Sequence, residues 1–294
     1  MLSGSITALI TPFLDGESLD EGAWVELLDW HRQSGTAGVV VGGTTGESVN
    51  LTASEFDRLL FLALERVGDS MRVLAGTGSP STQETLVRTR AAARAGAHAA
   101  LVVTPAYNRP TQRGLELHYR AVADVSDIPV VLYNVPSRTA CDLSPETVSR
   151  LADHPNIVAI KEAVGDRERV RALLATGLTV LSGDDPSCCQ AMLAGAAGVI
   201  SVAANVDPRR MAELCRRASQ GEEAQARSID RELMALYGFL GAESNPIPVK
   251  WMLHRMGRIG TGLRLPLTPL DPAYRDEADR LIDTLRLDAV PDVA

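Results

Sequence analysis

Residues 157–163 read IVAIKEA, four apolar residues that run straight into Lys161 and Glu162. A lysine is almost never fully buried unless something compensates it. The stretch therefore has two readings. Either a strand leaves the core here and Lys161 snorkels to water or pairs with Glu162, or the fold holds an amine where it can react. What lies on either side decides between them. Apolar, β-branched runs recur at SITALITPF (5–13), GVVVGG (38–43), RVLAGTG (72–78), ALVVTPAY (100–107), PVVLYNVP (129–136), IVAIKEA, LTVLSGDD (178–185) and GVISVAAN (198–205). They are near-continuous rather than alternating, as parallel strands covered on both faces should be.

Helical stretches separate these runs. Ser18-x-x-Glu21, Thr52-x-x-Glu55 and Ser81-x-x-Glu84 are capping-box patterns, followed by helices that stop near Gly35, Gly68 and Gly96. Ser144-Pro145, Asp185-Pro186 and Asp207-Pro208 each set a cap residue before a proline at the first helical position. Trp24, Leu27, Leu28 and His31 carry the apolar spacing of a helix face. Eight strand–helix units by about residue 220 are the count of a closed (β/α)8 TIM barrel. An open doubly wound α/β sheet would carry a Gly-rich dinucleotide turn after its first strand, and ITPFLDGES is not one. Residues 1–221 are thus expected to form the barrel. Residues 222–294 form a C-terminal helical extension, with helices near 222–240, 248–257 and 272–286, packed on it as one structural unit.

Composition narrows the function. With 294 residues, 45% hydrophobic and 22% charged, the chain reads as a globular protein with a large core. A formal net charge of −8 argues against nucleic acid or an anionic membrane as the main partner, though not against small anionic substrates. The opening MLSGSITALITPF lacks a basic n-region, and no segment reaches the roughly 18 uninterrupted apolar residues of a membrane span. Cys141, Cys188, Cys189 and Cys215 show no CxxC pattern and read as reduced thiols of a cytoplasmic protein. The five histidines show neither HxH nor HExxH spacing, so no metal site is expected.

In barrels of this kind the site is built from strand C-terminal ends and the loops after them. Those positions here are Thr11-Pro12, Thr44 to Glu47, Thr77, Thr104 to Asn108, Tyr133-Asn134, Lys161-Glu162, Gly183 to Asp185 and Ala204-Asn205. Hydroxyls, amides and phenols dominate, with one amine, and strand N-terminal ends show nothing comparable. Shielded from water, the Lys161 amine would be neutral more often and able to attack a carbonyl. Tyr133, at the end of the preceding strand, could relay the protons that carbinolamine formation and dehydration require. GGTTGES (42–48) lacks the GxxxxGK[ST] of a phosphate loop. Its tight turn, with free N–H groups and two hydroxyls, suits a carboxylate, or is a plain loop. Arg138 is either solvated or a carboxylate fork at the mouth. The aspartates of SGDDPS read as helix caps.

Together GGTTGES, TPAYNRP, YNVPSRT, IKEA, SGDD and NPIPVKW resemble the dihydrodipicolinate synthase family, within the pyruvate-dependent class I aldolases, in matching order and spacing from about residue 3 to 270. The resemblance implies that Lys161 forms a Schiff base with pyruvate and that Tyr133 is the proton donor and acceptor. It makes Thr44 the hydroxyl of a proton relay between two tyrosines. Tyr107 matches the second tyrosine, which in the family reaches into the neighbouring subunit's site. Thr45 matches the residue that holds the pyruvate carboxylate, and Arg138 the one that binds the carboxylate of L-aspartate 4-semialdehyde. Gly183 and Ile200 match backbone positions lining the pocket. The implied reaction yields 4-hydroxy-tetrahydrodipicolinate without a cofactor, in a homotetramer built as a dimer of dimers. Sister families such as N-acetylneuraminate lyase share the lysine and the tyrosine, whereas Arg138 and NPIPVKW favour the synthase. A keto-acid-binding barrel without turnover is the non-enzymatic alternative. Glu162 receives no catalytic role.

Where members of the family are inhibited by lysine, Ser48, Leu51 and Glu84 match the inhibitor site, but Ala53, Phe56 and Pro80 stand in place of two histidines and an asparagine. Ala106 replaces a tyrosine beside Tyr107. Feedback inhibition by lysine is therefore expected to be weak or absent, with Phe56 offering apolar contact at the interface instead.

Overall fold

A computed structural model describes residues 2–15 and 18–287, so the last part of the expected extension, 288–294, lies outside the described residues. All eight apolar runs form strands: β1 Gly4–Ala8, β2 Gly38–Val41, β3 Arg72–Gly76, β4 Ala99–Val103, β5 Val130–Asn134, β6 Ile157–Glu162, β7 Thr179–Ser182 and β8 Gly198–Ser201. Each pairs in parallel with its sequence neighbours, and β1 closes on β8 through Gly4↔Gly198 to Thr7↔Ser201, completing the expected (β/α)8 barrel. The strands end earlier than their apolar runs, because pairing stops where the site-forming loops begin.

Eight helices wrap the barrel: α1 Glu21–Gln33, α2 Ala53–Val67, α3 Thr82–Ala95, α4 Gln112–Val125, α5 Pro145–Leu151, α6 Arg167–Leu174, α7 Asp185–Leu193 and α8 Pro208–Ser219. On α1 the buried face is Trp24, Leu27, Leu28 and His31, as its spacing predicts. The Thr52–Glu55 capping box forms in full, and Ser81 caps α3 through the Glu84 N–H. Two cap expectations are corrected. Asp20 rather than Ser18 caps α1, accepting from the Ala23 N–H. Asp184 rather than Asp185 caps α7, accepting from the Ser187 N–H, which leaves Asp185 as a buried carboxylate. Neither difference disturbs the count of elements, since each moves a helix start by one or two residues.

The extension supplies α9 Glu223–Phe239, α10 Ile247–Arg255 and α11 Pro272–Leu285. Their apolar faces, including Leu233, Leu236, Met252, Leu253 and Ile282, join the same core that lies between the barrel and its helices. A second, smaller core fills the barrel itself with Ile6, Ala8, Val40, Leu74, Leu101, Val131, Ala159, Leu181 and Ile200. Side chains alternate along the strands between these two cores, except in β6, where the register against β5 shifts by one residue at Val158 and both Val158 and Ala159 face the interior. Thus Tyr133 belongs to the interior while Val130 and Leu132 face the helices.

Candidate active site

The same alternation sorts the two charged residues of β6. Ala159 packs inside the barrel and Ile160 outside it, so Lys161 turns inward and Glu162 outward. Lys161 is only 5% exposed, and Tyr133 pairs with it directly across β5 and β6. The Lys161 Nζ lies 4.3 Å from the centroid of the Tyr133 ring. The first reading of IVAIKEA therefore fails, because the amine is kept inside the barrel mouth and neither snorkels to water nor pairs with Glu162. On the other side of Lys161, Gly183 follows β7. A methyl group there would stand 2.8 Å from the Lys161 Cε and 2.9 Å from its Cγ, closer than carbon atoms pack. Having no side chain, Gly183 provides the channel in which the lysine stem lies.

Outside the barrel, Glu162 accepts from Arg169 Nε at 2.7 Å, from Asn134 Nδ2 at 3.0 Å and from the Val164 N–H at 2.8 Å. Arg169 and Asn134 both also bond Asp142. Behind the reactive strand ends there is thus a network, buried at Glu162 and Asn134 and reaching the surface at Asp142, that pairs the Glu162 charge, the condition under which buried charge is tolerated.

Asp185 stands nearer the chemistry than a cap would. Its Oδ2 accepts from the Val202 and Ala203 N–H groups at 3.0 and 2.8 Å, tying the end of β7 to the segment after β8. Burial pushes its carboxyl pKa up, against the opposing pull of nearby donors and the Lys161 charge. Ile200 is fully buried in the barrel interior one strand further on.

Thr44 and Thr45 lie in the turn after β2. Gly42 opens it at φ +63°, with the Phe56 ring so near that a Cβ would meet Phe56 Cε2 at 2.5 Å. Phe56 is therefore packed under its own chain's turn. Thr44 is half-buried, and no hydrogen bond among the described residues joins its hydroxyl to Tyr133 or Tyr107. The Thr45 side chain is buried and accepts from Asn245 Nδ2 at 3.0 Å. Glu47 ends the turn at φ +53°, and its Oε1 takes Lys250 Nζ at 2.6 Å. Lys250 also donates to the Thr11 carbonyl at 2.9 Å and lies over the Phe13 ring. Burial lowers the pKa of this ammonium, while the Glu47 charge opposes the shift.

Arg138 sits in a single helical turn, Pro136–Thr139, exposed at the mouth, with Nη2 donating to the Asn245 carbonyl at 3.3 Å. Tyr107 is not gathered into this chain's own site. It is 95% exposed, on a left-handed backbone at φ +70°. Among the described residues no group of three His, Cys, Asp or Glu side chains is placed to hold a metal ion. No described helix is long and apolar enough to cross a membrane.

Reasoning from strand ends locates Lys161, Tyr133, Thr45, Gly183 and Arg138, but passes over Asn245 and Lys250. These come from the extension, some 200 positions from the turn they grip. The one signal for them in the sequence is their presence in NPIPVKW.

A family model described as the dihydrodipicolinate synthetase family matches residues 1–285. The 4-hydroxy-tetrahydrodipicolinate synthase of Xylella fastidiosa is 53% identical over 96% of this chain and 94% of its own length. That of Methylococcus capsulatus is 50% identical over 94% and 96%. Among solved structures, the chloride-inhibited dihydrodipicolinate synthase of Acinetobacter baumannii, complexed with pyruvate, superposes with a TM-score of 0.96. It is 44% identical and covers 98% of this chain and 100% of its own. The enzyme of Aquifex aeolicus superposes at 0.95 with 41% identity, covering 98% and 99%.

Proposed function

The chain belongs to the dihydrodipicolinate synthetase family, and from that premise we propose that it condenses pyruvate with L-aspartate 4-semialdehyde to 4-hydroxy-tetrahydrodipicolinate, the first committed step toward diaminopimelate and lysine. The Lys161 amine adds to the pyruvate ketone, and loss of water leaves a protonated imine. That imine draws in the electron pair released when a methyl proton departs, giving an enamine. The enamine carbon attacks the aldehyde, whose oxygen takes up a proton. The amine of the second substrate then adds to the imine carbon, closing the ring and expelling Lys161. Protons move at every step, and Tyr133 is the group beside the lysine able to carry them. In this reading Thr44 and a partner subunit's copy of Tyr107 extend the relay, Thr45 holds the pyruvate carboxylate, and Arg138 binds the carboxylate of the aldehyde. Gly183 and Ile200 line the pocket, and no metal or cofactor is called for, because the imine is itself the electron sink.

The observation that carries the reading is the inward, buried Lys161 with its Nζ 4.3 Å from the Tyr133 ring. Borohydride with pyruvate should add irreversibly to the wild-type protein and not to Lys161→Ala. A coupled assay with both substrates should show turnover that Tyr133→Phe lowers about 10²- to 10⁴-fold. Wild-type protein left unmodified by borohydride would sink the proposal. Arg138→Ala should weaken the aldehyde's apparent affinity and not pyruvate's. The exposed, left-handed Tyr107 supports assembly into at least a dimer, with the dimer-of-dimers tetramer as the working form in the cytoplasm.

A further inference from the structure

We infer that Asn245 is a positioning residue for the carboxylate of the keto-acid substrate, acting through the Thr45 hydroxyl, and that one residue thereby joins the two substrate subsites. The inference rests on the function proposed above. Three contacts carry it. The Asn245 side-chain N–H donates to Thr45 Oγ1 at 3.0 Å. Its main-chain carbonyl accepts from Arg138 Nη2 at 3.3 Å. Its Oδ1 is buried with no hydrogen-bond partner among the described residues.

A hydroxyl carries a single proton. When an amide N–H occupies a lone pair of the Thr45 oxygen, that proton is released to donate elsewhere. A carboxylate accepts only, so it needs the hydroxyl in this donating sense. An asparagine serving the fold alone would be expected to have both ends of its amide paired, because an unpaired buried acceptor is costly. Here the amide is oriented by Thr45 and by nothing at its other end. The segment is fixed independently, since Lys250, five residues on, grips Glu47, two residues past Thr45. The extension therefore approaches the carboxylate turn at two points, one of them a donor aimed at the substrate-facing hydroxyl.

The consequence separates the two substrates. Asn245→Asp keeps the size but exchanges the donor for an acceptor. The Thr45 hydroxyl must then donate to the aspartate, and its proton is turned from the keto acid. The Arg138 contact uses the main chain and is unaffected. The KM for pyruvate should rise about ten- to a hundredfold, the cost of losing a charge-assisted hydrogen bond. In Asn245→Ala, which adds no charge beside Arg138, the KM for the aldehyde should stay within about twofold. Asn245→Ala, which removes the donor without adding charge, should raise the pyruvate KM by less. An unchanged pyruvate KM, an equal rise in both KM values, or a fall in kcat alone overturns the inference. Should Asn245→Asp fail to fold, as judged by its thermal melt, Asn245→Ala, which also removes the donor, carries the test with its smaller rise. Wild-type protein that neither traps pyruvate nor turns over would sink the function itself. Wild-type turnover with a variant indifferent to pyruvate concentration sinks only the role of Asn245.

Discussion

At the scale of the residue, the absence of a side chain at position 183 matters as much as the presence of one at 161. The lysine stem fills the space a Cβ would take at Gly183, with its Cε only 2.8 Å away. Gly183→Ala should therefore displace the amine from Tyr133 without unfolding the protein. The expected cost is about 1–3 kcal/mol of stability, as for overpacking elsewhere, together with a larger loss of kcat. A melt shifted by a few degrees beside slow borohydride trapping would match this. Full activity in the alanine variant would show that the stem has room to spare. Lys161 and Tyr133 are legible in the sequence, because strand ends can be counted. Asp185 reads there as a cap, since two adjacent aspartates before a proline offer two equally good candidates and only the backbone chooses. Asn245 cannot be found by counting, because its partner lies 200 positions away and only packing brings them together.

At the scale of the element, the turn after β2 is held by groups from α10 and the segment before it. Lys250 and Glu47 are almost wholly buried, at 3% and 2% exposure, and answer each other at 2.6 Å. Removing one member of such a pair leaves a charge in the core. Lys250→Met should cost about 3–5 kcal/mol, read as a lower denaturation midpoint, and should loosen the turn bearing Thr44 and Thr45. Adding Glu47→Leu to that variant should recover much of the stability, because no charge then remains unpaired, but not the activity. If the double variant were no more stable than the single one, the pair would not be the main support of the turn. The strands and most helix boundaries are readable from apolar runs and caps. The extension's helices are readable too, to within a residue or two. Their reach into the site is not, since amphipathic spacing reports which face is buried and not what it is buried against.

At the scale of the molecule, acid should weaken the fold through two buried histidines. Burial holds His31 at a pKa of about 3 and His118 at about 4, against an ordinary value near 6.5. Both are thus neutral in the native state while the unfolded chain takes up protons from pH 6.5 downward. Their contribution to stability is fully present above pH 6.5. It is lost progressively as pH falls toward the folded values, by up to about 8 kcal/mol for the two together, since each tenfold change in proton affinity is worth about 1.4 kcal/mol. Urea midpoints between pH 7 and pH 4 should fall accordingly, and His31→Gln should flatten part of the slope. Lysine should not inhibit at sub-millimolar concentration. Phe56 is committed to Gly42, and the Glu84 carboxylate already takes Arg88 Nε at 2.8 Å. Activity that fell in that range would show the inhibitor site rebuilt from other groups.

Glu162, given no role in the chemistry, acquires one in heredity. The apolar part of β6 is welcome on either side of the sheet, and its register against β5 already shifts by one residue at Val158, so nothing in IVAI fixes which way the end of the strand faces. A further slip of one residue would send the amine out among the helices and the carboxylate into the mouth. What forbids it is the fit of Glu162 to Arg169, Asn134 and the Val164 N–H. Single-residue insertions and deletions within 157–162 should therefore be far rarer among surviving descendants of this gene than substitutions at the same positions. The loops on either side have no such frame to keep.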